Sequence, residues 1–149
     1  MLADSPVTLV LPVLWGDQDS FGHVNNIAYL RWAETARVDY LVRVGLWQNP
    51  PSSGIGPILA SLSCDYRRPV VYPDTVRVDA RVTTMGNSSL RMDHTIVSEG
   101  LDAVVAEVSS TIVAIDYAQG TPVAVPDSVR KAIEALEGHA FPRPETTGN

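Results

Sequence analysis

The spacing of apolar positions changes character twice along this chain. Residues 6–15 are apolar and β-branched enough for a strand, with Pro12 suggesting an edge or a bulge. A polar, glycine-bearing loop, GDQDSFGHVNN, follows at 16–26. Over 27–44 the apolar residues recur every three or four positions, which predicts a helix of about five turns. Asn25 and Asn26 are suited to cap its start, and Gly45 to end it, with Pro50 and Pro51 beyond. One stripe of this helix is Tyr29, Ala33, Ala36, Tyr40 and Val44, and its two alanines would let a sheet approach closely. A second stripe is Ile27, Leu30, Val38 and Leu41, with Glu34 set inside it and flanked by Arg31 and Arg37. A helix apolar over most of its circumference is expected to be enclosed.

After the helix the period falls to two. Ile58, Ala60, Leu62, Cys64 and Tyr66 alternate with Leu59, Ser61, Ser63, Asp65 and Arg67, and similar alternation recurs at 75–82 and 89–96. Residues 103–116 are β-rich and partly apolar on both faces, as if a partner subunit buried their outer side. Turn residues separate the runs at 69–74, 85–87, 99–100 and 119–120. A short helix is predicted over 128–137, with Pro126 and Asp127 before it and Gly138 after it. The class is α+β: an antiparallel five-stranded sheet wrapped around a long central helix, with a short C-terminal helix. Residues 1–138 form one domain and 139–149 a flexible tail.

Composition narrows the function. With 149 residues, 45% hydrophobic and 19% charged, the chain suits a single globular domain. No apolar run reaches the ~20 residues of a membrane span, and the N-terminus lacks the pattern of a signal peptide, so the expectation is a cytoplasmic protein. A formal net charge of -6 argues against nucleic-acid binding. It leaves room for a phosphorylated small ligand, which needs only a few cations, and ten of the eleven basic residues are arginine. His23, His94 and His139 are too far apart for a metal motif, so no metal and no separate cofactor is expected. His94 reads as a core histidine and Cys64 as a small buried hydrophobe.

The chemistry concentrates in the loop before the helix. Its D-x-D-x-x-G-H-V-N-N pattern, followed by YLRWAETARVDYL, resembles the 4-hydroxybenzoyl-CoA thioesterase family of hotdog proteins. The later segments DYRRPVVYPDTVRV, GNSSLRMDHTIV and AEVSSTIVAID are similar as well, so the resemblance runs from about residue 8 to 137. It implies a hotdog fold and hydrolysis of an acyl-CoA, with Asp19 as the catalytic carboxylate, either nucleophile or general base. It also implies that backbone N–H groups of Val24, Asn25 and Asn26 hold the acyl carbonyl, and that the chain forms a homodimer or homotetramer. Elementary physics agrees, since a helix N-terminus offers free donors and partial positive charge to an oxyanion.

Plainer roles compete residue by residue. Asp17 reads as an organiser of the loop. His23 is either a partner of Asp19 or a structural histidine, and Asn25 either faces the site or only caps. Glu34 reads as one end of an ion pair with Arg31 or Arg37, and as the backup catalytic carboxylate. Arg67, Arg68 and Arg91 are the candidates for gripping coenzyme A phosphates, and all three also suit a solvated strand face. Trp15, Tyr29, Trp32 and Trp47 suit an acyl pocket or the core, and the Pro/Ser/Gly-rich stretch 47–57 could close over substrate. The substrate is expected to be an acyl-CoA or an acyl carrier protein thioester. Two other functions stay open: an acyl-thioester dehydratase or hydratase, and a non-catalytic module that binds acyl thioesters.

Overall fold

Where a helix must lie flat on a sheet, small side chains have to stand between the two backbones. In the computed structural model, which describes residues 5–48 and 54–143, that need is met by Ala28, Ala33 and Ala36 on the long helix α1 (Asn26–Arg43), all buried. The remaining elements are β1 (Val7–Pro12), β2 (Ile55–Tyr66), β3 (Thr75–Met85), β4 (Ser89–Ser98), β5 (Ala103–Asp116), β6 (Thr121–Pro122) and α2 (Asp127–Glu137). The strands form one antiparallel sheet in the order β1-β3-β4-β5-β2, and β6 pairs with the end of β5. This is the hotdog fold expected above, with six strands in place of five. The added strand is two residues long, too short to show a period, and it directly follows the turn at 119–120.

The helix ends follow the sequence. Asn25 Oδ1 accepts the N–H of Ile27 at 3.0 Å, and the chain leaves α1 through Gly45 at φ +85°, a conformation that costs a residue without a Cβ little. The second apolar stripe departs from expectation. Leu41 is buried, but Leu30 and Val38 are only half-buried and Ile27 is 64% exposed. The sheet covers one side of α1 and leaves this side open in the single chain.

The mixed apolar character of β5 also has a local cause. Ile96 pairs with Ala106 and Val97 with Val104, so Val105 is an extra residue in β5, and Val105 and Ala106 are consecutive buried positions. Farther along, the outer face carries Glu107, Ser109 and Thr111 and then turns apolar at Val113 and Ile115.

Buried polar contacts tie the helices to the sheet and the strands to one another. The Tyr40 hydroxyl of α1 donates to Glu137 Oε2 at the end of α2, and the same oxygen accepts the Val82 N–H of β3 at 2.9 Å. Within the sheet, His94 of β4 reaches both neighbouring strands, with Nδ1 3.0 Å from the Asp79 carbonyl of β3 and Nε2 3.4 Å from the Ser110 hydroxyl of β5. His94 is thus the satisfied core histidine expected from its strand face. After α2 the chain stays docked as far as Phe141, whose N–H donates to Glu134 and whose carbonyl accepts from Arg130. Residues 144–149 lie outside the described residues.

Burial pushes the His94 imidazole down from 6.5 to about 4. The folded state therefore prefers the neutral ring, and the unfolded chain takes up the proton first as pH falls. The resulting stability is complete above pH 6.5 and is lost as pH drops through 4, about 3 kcal/mol in all. His94→Gln should flatten this part of the stability curve. Thermal unfolding between pH 7 and 4 measures it, and an unchanged acid slope would show that other groups set it.

Candidate functional site

The loop between β1 and α1 is built around a buried carboxylate. Asp17 is buried, its Oδ2 accepts the Leu14 N–H at 2.8 Å, and its Oδ1 takes the Arg31 guanidinium at 2.5 Å. Its carbonyl accepts the Asn25 N–H at 2.7 Å, which fixes where the helix begins. Asp17 is the organiser of the loop, as its position suggested. Arg31 is committed to it and does not pair with Glu34.

Beyond Asp17 the chain makes a small hairpin, with Gln18 bridged to Val24 and the Asp19 N–H donating to the His23 carbonyl at 2.8 Å. At its tip Asp19 is exposed, and its Oδ1 accepts the N–H groups of Phe21 at 2.9 Å and His23 at 3.4 Å. Asp19 Oδ2 has no hydrogen-bond partner among the described residues. One oxygen thus orients the carboxylate, and the other is left open to solvent and ligand. His23 is exposed and held through its backbone; its ring makes no hydrogen bond to Asp19.

Two of the three expected carbonyl-binding donors are already engaged. The Val24 N–H goes to the Val70 carbonyl at 2.9 Å and the Asn25 N–H to Asp17, while Ile27 and Ala28 donate to the Asn25 cap. Only the Asn26 N–H in the first turn lacks a partner among the described residues. Asn25 therefore acts as the cap, and the free donor at the helix start is that of Asn26.

Glu34 stands apart from this cluster. It lies eight residues along α1 from Asn26, about 12 Å, its side chain is 64% exposed, and its nearest cation is Arg37 at 3.9 Å. Arg67 and Arg91 project from the sheet face turned away from α1. Arg67 grips Glu107 at 2.7 Å, a pairing that raises the guanidinium pKa further. Arg91 pairs with Asp93 at 3.4 Å in an open polar groove of about 620 Å³ that also holds Arg81, Asp65 and Glu107. Arg68 is the arginine next to the helix start: its carbonyl accepts from the Tyr29 hydroxyl at 3.2 Å, and its exposed guanidinium has no partner among the described residues.

Tyr66, which the sequence did not single out, completes an aromatic group beside the site. Tyr29 accepts the Val70 N–H at 3.0 Å, and its ring lies 5.3 Å from that of Trp32 and 5.2 Å from that of Tyr66. Tyr66 reaches the Asn26 carbonyl at 3.4 Å, and burial raises the neighbouring Cys64 thiol, keeping it protonated. Alternation put Cys64 and Tyr66 on one face of β2, but only pairing with β5 brings that end of the strand to α1. Trp15 is exposed, Tyr29 and Trp32 are core, and Trp47 lies past the opposite end of the helix. Of the stretch expected to close over substrate, residues 49–53 lie outside the described residues. Among the described residues no group of three or more His, Cys, Asp and Glu could hold a metal ion, and no helix is long and apolar enough to cross a membrane.

This arrangement has close counterparts. A thioesterase from Thermus thermophilus, whose crystal structure contains coenzyme A and zinc, superposes with a TM-score of 0.81 at 31% identity, covering 93% of this chain and 99% of that one. A thioesterase-superfamily protein from Jannaschia sp. CCS1 shares the fold, with a TM-score of 0.80 at 23% identity over 91% of this chain and 85% of that one. The long-chain acyl-CoA thioesterase FadM of Escherichia coli (strain K12) is 28% identical over 118 residues, 79% of this chain and 89% of the relative. Residues 13–133, from the end of β1 into α2, match the family described as the Thioesterase-like superfamily, and the chain belongs to that family.

Proposed function

We propose that this chain hydrolyses an acyl-coenzyme A to the free acid and coenzyme A, with Asp19 as the reacting carboxylate. The observation that carries this reading is Asp19 itself, held through Oδ1 with Oδ2 free, a few residues before a helix start that keeps one free donor. A thioester placed between them would have its carbonyl oxygen on the Asn26 N–H, where the helix dipole favours negative charge. Asp19 Oδ2 then serves in one of two ways. As nucleophile it bonds to the carbonyl carbon and expels the coenzyme A thiolate, and water cleaves the resulting anhydride. As general base it takes a proton from water as the water oxygen attacks, and that proton passes to the departing thiolate. In both routes the oxyanion forms beside the Asn26 N–H. Coenzyme A as the thiol is supported by the related long-chain acyl-CoA thioesterase and by the related structure that contains coenzyme A.

Asp19→Asn is a clean test, because the amide oxygen can keep the bonds that Oδ1 accepts. Folding should be unchanged and hydrolysis slower by at least about a hundredfold. A rate within a few-fold of the parent would remove Asp19 from the mechanism.

The nucleotide end of coenzyme A needs a cation, and Arg68 is the one near the helix start with no protein partner among the described residues. Arg68→Ala should raise KM about tenfold with kcat little changed, since this end is held equally in ground and transition states. The effect should vanish with a pantetheine thioester that lacks the nucleotide. Equal losses on both substrates would make Arg68 a structural residue.

The functional unit is a homodimer. β2 pairs with β5 on one side only, and Ile58 and Leu59 are exposed along it. Twofold pairing of β2 with a second β2 would satisfy its unmatched backbone groups, and two such dimers could build the tetramer that the family resemblance implies. Light scattering at micromolar concentration should give at least twice the 16.1 kDa chain mass; a monomer would contradict this assembly.

A further inference from the structure

A group of large apolar side chains stands in water around the Asp19 loop, and the chemistry proposed above uses none of them. Pro12 ends β1 opposite Thr75, which begins β3, and Tyr66 ends β2 opposite Ala106 near the start of β5. The loops 13–25 and 67–74 therefore emerge from one end of the sheet. They are joined there by the Val13 N–H to the Asp74 carbonyl and the Val24 N–H to the Val70 carbonyl, both at 2.9 Å. Leu14, Trp15 and Phe21 of the first loop and Val71 and Tyr72 of the second are exposed, Trp15 at 74% and Phe21 at 85%. Phe21 stands inside a tight turn that the Gly22 N–H closes on the Asp19 carbonyl at 3.2 Å, a place where glycine and small polar residues are the usual choice. An aromatic ring held at a turn tip in water adds nothing to the core.

Pairing of β2 with a second β2 does not supply the cover for Leu14 and Trp15. They follow β1, the sheet edge opposite β2, four interstrand spacings or ~19 Å away along the strand order. A charged protein surface would find little to match in these loops. Asp17 is buried, Asp74 accepts the Thr75 and Gly100 N–H groups and the Ser98 hydroxyl, and Arg67 is held by Glu107. That leaves Asp19, His23 and Arg68. The tip is also prepared for a medium of low polarity. The N–H groups of Asp19, Phe21 and Gly22 are all bonded within the loop, so covering it with hydrocarbon strands none of these donors.

We propose that this end of the chain is a lipid-binding surface, with Phe21 entering the acyl layer and Trp15 and Tyr72 at headgroup level, where amphipathic rings settle. The partner is the surface of a bilayer, and the formal net charge of -6 favours a zwitterionic bilayer over an anionic one. Antiparallel pairing of β2 about a twofold axis sends the two patches of a dimer to opposite ends, so each attaches alone and the binding is reversible. On the hydrolase reading, on which this last step rests, the docked loop holds Asp19 at the boundary between lipid and water. The substrates it meets there are thioesters whose acyl chains are long enough to partition into lipid.

Sedimentation with phosphatidylcholine vesicles tests the surface without reference to catalysis. The full chain should sediment with the lipid, and Trp15→Ser and Phe21→Ser should each lower the partition coefficient about tenfold. Val10→Ser, which removes an exposed apolar side chain from within β1, should leave it within about twofold of the parent. No sedimentation of the wild type, or an equal loss in Val10→Ser, would overturn the proposal. The link to substrate has its own readout. Trp15→Ser should slow hydrolysis of hexadecanoyl-CoA carried in vesicles about tenfold at limiting lipid, and leave dissolved hexanoyl-CoA within about twofold of the parent. Equal losses on the two substrates would make Trp15 a support of the Asp19 loop and overturn lipid delivery. Vesicle binding by a wild type inactive on every acyl-CoA would overturn the hydrolase reading and leave the lipid surface standing.

Discussion

The candidate site depends on one buried carboxylate and the partners that hold it. Asp17 is shut away from water between the end of β1 and the start of α1, and Arg31, one turn into the helix, is its charge partner. The Arg31 side chain is itself about half exposed, so solvent screens the pair, and the hold on the loop comes from the guanidinium together with the backbone bonds to the same residue. The same residue uses its other carboxylate oxygen on the Leu14 N–H and its carbonyl on the Asn25 N–H. Three chain segments are held at one point. The position of the Asp19 hairpin and the start of α1 follow from it, and with them the relation of the free carboxylate oxygen to the free Asn26 donor.

That arrangement separates rigidity from reactivity within a few residues. Asp17 is saturated with partners and closed to solvent. Asp19, two residues on, is anchored through a single oxygen and keeps the other exposed. The helix N-terminus is treated the same way, with the donors on either side of Asn26 bonded within the fold. A site prepared in this way would lose little freedom on binding a ligand, because its free groups are already aimed. The outer sheet face is the opposite case. Its arginines are matched by carboxylates, Arg67 with Glu107, Arg81 with Asp79 and Arg91 with Asp93, which leaves them little free charge for a phosphate.

Much of this could be read along the chain. The α1 helix, its Asn25 cap, the Gly45 exit and the strands of period two follow from local preference and from burial of one face, and those signals are strong over ten residues or more. The D-x-D loop drew attention only through its resemblance to a known family, since Asp and Asn before a helix are most often caps. The two-residue β6 and the bulge at Val105 were not legible, since neither is long enough to alter a period. The partner of Arg31 was hidden for a related reason: i±3 spacing put both Arg31 and Arg37 beside Glu34, and nothing local reveals that Asp17, fourteen residues before Arg31, takes it.

By itself the sequence determined the class of the fold and the limits of its long elements. Each of these rests on interactions between residues close in the chain, or on one face of one element meeting an apolar core. Only the tertiary structure decided which donors remain free, which arginines are already paired and which end of β2 meets which end of α1. Those outcomes depend on partners tens of residues away, such as Val70 for the Val24 N–H and Glu107 for Arg67. A donor or a cation is available to a ligand only when no such partner has taken it, and distance along the chain carries no record of that competition.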